Sequence, residues 1–221
     1  CGDSSMKIMD NINHTVREDL QDTMQKGSRV SIAAACFSIY AYQELKKQLE
    51  EIAELRFIFT SPTFVQENTP KKRREFYIPK LTREKSLYGT EFEVRLRNEL
   101  TQKALAKECA DWVRRKVKFR SNVSGEQMPG FMTVGESSYM PISGFTTVDL
   151  GCERGNNAYY PVQRTESFEN GCYFLSLFDE IWNDSSRLQD VTDIVLQSIS
   201  TAYRENSPDF IYFFTLYNIF S

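Results

Sequence analysis

Histidine occurs once in the 221 residues, at position 14, and the five cysteines (Cys1, Cys36, Cys109, Cys152, Cys172) show no CxxC or CxxxxC spacing. A Cys/His zinc site does not fit so few ligands, and a chain this long with five cysteines is not a disulfide scaffold. A reducing cytoplasm is the matching compartment. No apolar run approaches the roughly 20 residues that a membrane-spanning helix needs, and no charged-then-apolar signal peptide opens the chain. Cys1-Gly-Asp-Ser-Ser5 reads as a flexible end ahead of Met6 rather than a lipidated terminus.

What is present suits one α/β domain, or one domain with a small appendage. At 41% hydrophobic and 26% charged, the chain can bury a core. Its charge is unevenly spread. Residues 71–120 hold 16 Lys+Arg and 7 Asp+Glu, whereas the rest holds 11 and 23. A local anion-binding face inside an acidic protein is one reading of that asymmetry. A long solvated helix behind a basic loop is the other.

Ile12, Val16, Leu20 and Met24 recur every four residues and predict an amphipathic helix over 8–26, stopped at Gly27. Arg29 to Cys36 reads as a buried strand, 39–54 as a helix, and Leu55 to Thr60 as the next strand, the opening of a βαβ unit. Thr90 and Glu93 form a capping box for a helix of about 25 residues. Its buried stripe is Phe92, Leu96, Leu100, Ala104, Cys109, Trp112 and Val113. Two strands around Gly135-Glu136-Ser137 fill 128–150. Two amphipathic helices follow, over 168–183, with Phe174, Leu177, Phe178, Ile181 and Trp182 inward, and over 190–205. The last twelve residues are apolar and aromatic, costly to leave in water.

Ala33-Ala-Ala-Cys-Phe-Ser-Ile-Tyr40 followed by Leu55-Arg-Phe-Ile-Phe-Thr60 resembles the opening of the phospholipase D-like superfamily. Tyr139-Met-Pro-Ile-Ser-Gly-Phe-Thr146 sits where that family closes its active-site motif with Gly-Ser-x-Asn-Phe-Thr. The stretch Phe92 to Trp112 is similar to the phospholipase D-like region that opens certain bacterial SNF2-type superfamily 2 helicases. The resemblance implies an α/β fold, a phospholipase D-like mixed sheet flanked by helices with a long basic helix inserted. It implies a domain over 1–205 and, over 206–221, the start of a connection to a helicase core. The implied partners are DNA, that ATPase core and, through a two-fold, a second copy; no membrane is implied. ATP and Mg belong only to the core, and no cofactor is expected within these residues.

Activity in that family needs His-x-Lys-x4-Asp, one His attacking phosphorus, another protonating the leaving oxygen, and lysines holding the phosphoryl oxygens. Matched back from Phe145-Thr146, those positions hold Gln127, Pro129 and Val134, and the later ones hold Pro141, Ile142, Ser143, Gly144 and Thr146. Lys118 is the last lysine, and no histidine follows it. No shift of the alignment rebuilds the motif, so phosphodiesterase catalysis of the usual kind is not expected.

Other chemistry is sparse. His14 fits a surface or cap role. Ser137, Ser138 and Ser143 have no neighbouring histidine base. Asp179, Glu180 and Asp184 sketch a carboxylate cluster, but a solvated helix end accounts for them better than a metal site. No Gly-x4-Gly-Lys-Ser/Thr loop is present. The remaining candidates for contact with nucleic-acid phosphates are Lys71, Lys72, Arg73 and Arg74 in a Pro-flanked loop, with Arg114, Arg115, Lys118 and Arg120 at the end of the long helix. Tyr77 and Tyr88 lie close enough in sequence to stack on bases. A dimerisation or protein-interaction module without nucleic acid is the alternative.

Overall fold

Strand Arg29–Ala34 (β2) is buried at five of its six positions, as a strand covered on both faces must be. It lies parallel to Glu54–Phe59 (β4), which lies parallel to Val117–Asn122 (β5). The computed structural model describes residues 5–61, 99–155, 158–166, 168–204 and 215–216. Around this parallel centre the remaining strands are antiparallel: Ser5–Met9 (β1), Phe131–Val134 (β6), Ser137–Met140 (β7), Val162–Glu166 (β8) and Leu188–Asp190 (β9). The order is β1-β8-β7-β6-β2-β4-β5-β9, an open eight-stranded mixed sheet. A two-residue strand, Phe37–Ser38 (β3), pairs with Thr215–Leu216 (β10) of the apolar tail.

Period-two alternation divides the sheet into two faces. Phe57, Phe59, Val30, Ile32 and Phe119 point to the larger core, which also takes in Leu20 of Val16–Thr23 (α1), Tyr42 of Ile39–Glu44 (α2), Trp112 of Glu99–Lys116 (α4) and Val195 of Thr192–Arg204 (α6). Lys46–Leu49 (α3) is a single turn between α2 and β4. Phe37 meets Phe57 and Phe119 edge to face with centroids 5.2–5.8 Å apart. Trp112, fully buried, donates from Nε1 to the Leu49 carbonyl (2.8 Å), so its one polar side-chain atom is satisfied. The other face carries Ala33, Ile58 and Phe131 under Phe168–Trp182 (α5), whose Phe178 and Trp182 close the smaller core.

The expected hairpin around Gly135 is present, and Gly135 takes a φ of +57° at the turn. The helix expected over 8–26 is shorter than its periodicity suggests. Residues 5–9 form β1, and Asp10 then ends the extended run by accepting the backbone N–H groups of His14, Ile12 and Asn13 (2.8–3.0 Å). Those bonds, the one from His14 foremost, hold the Asp10 carboxyl down at about 2. Thr15, accepting from Glu18 N (3.2 Å), caps a helix that begins only at Val16. Ile12, placed on the apolar stripe by spacing, is 46% exposed in the loop.

The helix expected over 39–54 splits into α2 and α3 at Leu45. Ala104 is exposed, and the buried stripe of α4 runs through Leu105, Ala106, Cys109, Ala110, Trp112 and Val113. The segment expected as helix from 190 instead finishes β9 before α6 starts at Thr192. Cys36, Cys109, Cys152 and Cys172 are free thiols. No described helix is long and apolar enough to cross a membrane.

Candidate functional site

The motif-like stretch lies where the parallel strands end. Beyond Ala34, the backbone of 35–38 runs alongside 143–145. Ala35 N donates to Ser143 O (2.9 Å), Phe145 N to Cys36 O (2.8 Å) and Ser38 N to Phe145 O (2.9 Å). The Phe37 and Phe145 rings stack at 5.8 Å. On the other side Ile142 N donates to Gly130 O (3.0 Å), so the loop is pinned along both margins.

Asp149 organises the far end of this loop. Its Oδ2 accepts from Thr146 N (3.2 Å) and Thr146 Oγ1 (2.6 Å), its Oδ1 accepts from the Tyr160 hydroxyl, and its carbonyl accepts from Asn11 Nδ2 (3.1 Å). Burial and then the Asp149 charge raise the Tyr160 hydroxyl well above the usual tyrosine range. The same two causes push the Cys36 thiol up to about 12, so Cys36 stays a neutral thiol at pH 7 and is not an activated nucleophile. A small depression beside Tyr160, with room for little more than a water molecule, is lined by Asp10, Asn11, Val148, Glu153 and Arg154 among others.

The positions matched to the catalytic motif carry no reactive group. Gln127 and Pro129 are exposed in the connection between β5 and β6, and Val134 is buried at the end of β6. Pro141 and Ser143 are exposed, Ile142 is 3% exposed, and Thr146 is spent on Asp149. Gly144, where the family has asparagine, has no room for a side chain. A Cβ there would lie 2.4 Å from Cys36 Sγ and 2.8 Å from Asp149 Oδ2. Rewriting the motif (Gln127→His, Pro129→Lys, Val134→Asp and Gly144→Asn together) is therefore expected to leave hydrolysis of a chromogenic phosphodiester at background. Turnover clearly above the buffer rate would contradict that crowding.

The other candidates are dispersed. His14 lies in the loop after β1, its carbonyl accepting from Asn11 N (3.0 Å). Asp179 pairs with Arg56 (2.7 Å), Asp184 holds Ser186 and Arg187, and Glu180 is exposed. Among the described residues no group of three His, Cys, Asp or Glu is placed to hold a metal ion.

The five cations of residues 111–120 fall into two sets on opposite sides of the sheet. At the end of α4, Arg114 pairs with Asp111 (2.9 Å) and Arg115 with Glu50 (2.7 Å), while Lys116 donates to the Ile52 carbonyl (2.8 Å). Lys118 and Arg120 project from the α5 face of β5. Arg120 lies over the Trp182 ring (4.1 Å) and donates to the Trp182 carbonyl, capping α5. Lys118 is exposed. Arg114, Arg115 and Lys118 stand at the end of the sheet where β5 begins, opposite to the motif-like loop. Lys71, Lys72, Arg73, Arg74, Tyr77 and Tyr88 lie outside the described residues.

Sequence reasoning did not find Asp149 or Tyr160. Thr146-x-x-Asp149 is the one local signal, a Thr/Asp pair at the spacing by which such side chains reach nearby backbone N–H groups. Tyr160 comes to Asp149 only through the fold.

No protein-family model matches this chain, and no curated protein matches it. Among solved structures it is similar to Nuc, a phospholipase D family member from Salmonella typhimurium (TM-score 0.44, 11% identity, 85% of this chain and 98% of that one). It is similar also to NucT from Helicobacter pylori (TM-score 0.42, 9% identity, 80% and 95%). A third is the phosphatidylserine synthase of Haemophilus influenzae Rd KW20 (TM-score 0.49, 8% identity, 95% and 47%). At such identities no residue role passes from these proteins to this chain.

Proposed function

We propose that this chain is a non-catalytic phospholipase D-like domain that holds DNA by its phosphates, as the accessory part of an ATP-dependent helicase. The observation that carries the reading is the crowding of 16 of the 27 Lys+Arg into residues 71–120 of an otherwise acidic chain. Gln127, Pro129 and Val134 at the motif positions, and the filled space at Gly144, favour holding over cleaving. Binding of this kind is salt-sensitive and has little preference for sequence. The helicase part of the proposal rests on the resemblance of Phe92 to Trp112.

Fluorescence anisotropy with labelled single-stranded and duplex DNA across a salt series tests it. The comparison protein carries Lys71, Lys72, Arg73 and Arg74 all changed to Ser. Binding to duplex is expected to weaken with salt, and the variant's slope of log K against log salt is expected to fall by about 0.9 for each phosphate it no longer neutralises. No binding to either DNA at low salt overturns the proposal.

A second reading, an interaction module that pairs with another copy, is favoured by a different observation. Met6 and Ile8 on β1 are 57% and 58% exposed at the edge of the sheet.

A further inference from the structure

The sheet face beneath α5 carries a polar row where a covered face ordinarily carries apolar side chains. Directly paired residues share a face, and the register aligns one residue from each of six strands. They are Lys118 of β5, Arg56 of β4, Ser31 of β2, Thr133 of β6, Ser138 of β7 and Thr165 of β8. Two residues along their strands, Ile58, Ala33 and Phe131 make the neighbouring row, and Phe178 and Trp182 of α5 close over these.

The middle of the polar row is fully covered. Ser31, Thr133 and Ser138 are each no more than 1% exposed. Ser31 accepts from Arg56 Nη2 (3.0 Å). The hydroxyl oxygens of Thr133 and Ser138, opposite each other on β6 and β7, have no hydrogen-bond partner among the described residues. A buried hydroxyl of this kind has lost its water without a replacement bond, and the cost vanishes when water returns. Because α5 packs on β2, β6, β7 and β8, lifting it from this face rehydrates both groups.

Little holds α5 down. Only Phe178 and Trp182 are buried in the smaller core; Phe174, Leu177 and Ile181 are partly buried, and Tyr173 is 61% exposed. One ion pair adds to these contacts. Arg56 stacks on the Phe178 ring (4.9 Å to its centroid) and reaches Asp179 (2.7 Å), which is itself half exposed. On the other face α1, α2, α4 and α6 share one continuous core.

We propose that α5 is a cover that opens from the sheet as a unit while the larger core stays folded. The unpartnered hydroxyls of Thr133 and Ser138 set how readily it opens. Segments with few buried contacts open locally at a fraction of the free energy of global unfolding. Opening bares the polar strip from Arg56 to Thr165, so α5 governs the access of solution ligands to it.

Thiol labelling under native conditions is the test. Ala33→Cys places a thiol directly beneath α5, and native Cys109, fully buried in the larger core, reports unfolding of the whole. Ile58→Cys, smaller than the residue it replaces, is the second probe, and far-ultraviolet circular dichroism checks that each variant folds. Peptide mass spectrometry reads the rate at each thiol separately. The thiol beneath α5 is expected to react at least tenfold faster than Cys109. Adding Thr133→Val and Ser138→Ala is expected to slow it about tenfold, because apolar groups of the same shape gain nothing from water. Equal rates at the probe and at Cys109 mean that α5 leaves only when the whole domain unfolds, and overturn the proposal. A fast probe whose rate ignores the loss of both hydroxyls overturns the part assigned to the polar row.

Discussion

Replacing Asp19 by alanine is expected to cost about 3–5 kcal/mol of folding stability, the usual penalty when one member of a buried charge cluster is removed. Asp19 is 3% exposed on α1, yet its carboxylate joins three strands. It accepts from Lys7 Nζ of β1 (2.9 Å), from Arg164 Nη1 of β8 at both oxygens (2.7 and 2.8 Å) and from the Tyr139 hydroxyl of β7 (2.6 Å). Without it, Arg164, whose side chain is 15% exposed, is left charged and without its main partner. Urea unfolding of the variant measures the loss, and a change below about 1 kcal/mol would show that the cluster contributes no more than an ordinary hydrogen bond.

The same cluster predicts a dependence on acid. Burial pushes the Asp19 carboxyl up, but the hydrogen bonds from Tyr139, Lys7 and Arg164 outweigh it and leave the group below its ordinary 3.8. The unfolded chain therefore binds the proton more readily than the folded one. Asp19 contributes its full stability above the unfolded value and loses it as pH falls through the folded value. In Asp19→Asn that part of the acid dependence is expected to vanish, so the stability profiles of variant and parent converge at low pH.

The second large effect is expected at Gly130. Alanine there would place Cβ 1.8 Å from the Ile142 carbonyl oxygen, an overlap with backbone that no rotamer relieves. The Gly130 carbonyl also accepts the Ile142 N–H at 3.0 Å. Gly130→Ala must therefore open the junction between the approach to β6 and the loop after β7, at a cost of about 3 kcal/mol, the upper end for overpacking. Gly125→Ala is the matched control, because nothing lies within 4 Å of its Cβ. Thermal melts of both proteins decide the matter, and equal midpoints would refute the close approach at Gly130.

Much of the centre of this fold was legible because its signals are local. β2 and β4 are largely apolar runs, the hairpin turns on a glycine, and α5 repeats its large side chains at helical spacing. The edges were not legible. The apolar spacing that suggests a helix reaches back towards β1, and Asp10 overrides it by binding three backbone N–H groups at once. The Thr15-x-x-Glu18 capping pattern was the available clue to the true helix start. The Asp19 cluster was invisible for a plainer reason: Tyr139 and Arg164 each lie more than a hundred residues from Asp19. At the motif-like loop the missing histidine and lysine could be read from sequence. That Cys36 and Asp149 occupy the space at Gly144 could not, since crowding belongs to the folded chain.

The pairing of β1 with β8 also sets a clock. Ser5 meets Glu166, so the first strand of the sheet has no partner until about 160 further residues have been made. At roughly 5–20 residues per second, a ribosome needs on the order of ten to thirty seconds to supply them. For that interval Met6 and Ile8 belong to an unpaired strand, and Lys7 has no neighbour from β8 beside it. The sheet can grow outward from its parallel middle, but this edge must wait for the chain that closes it.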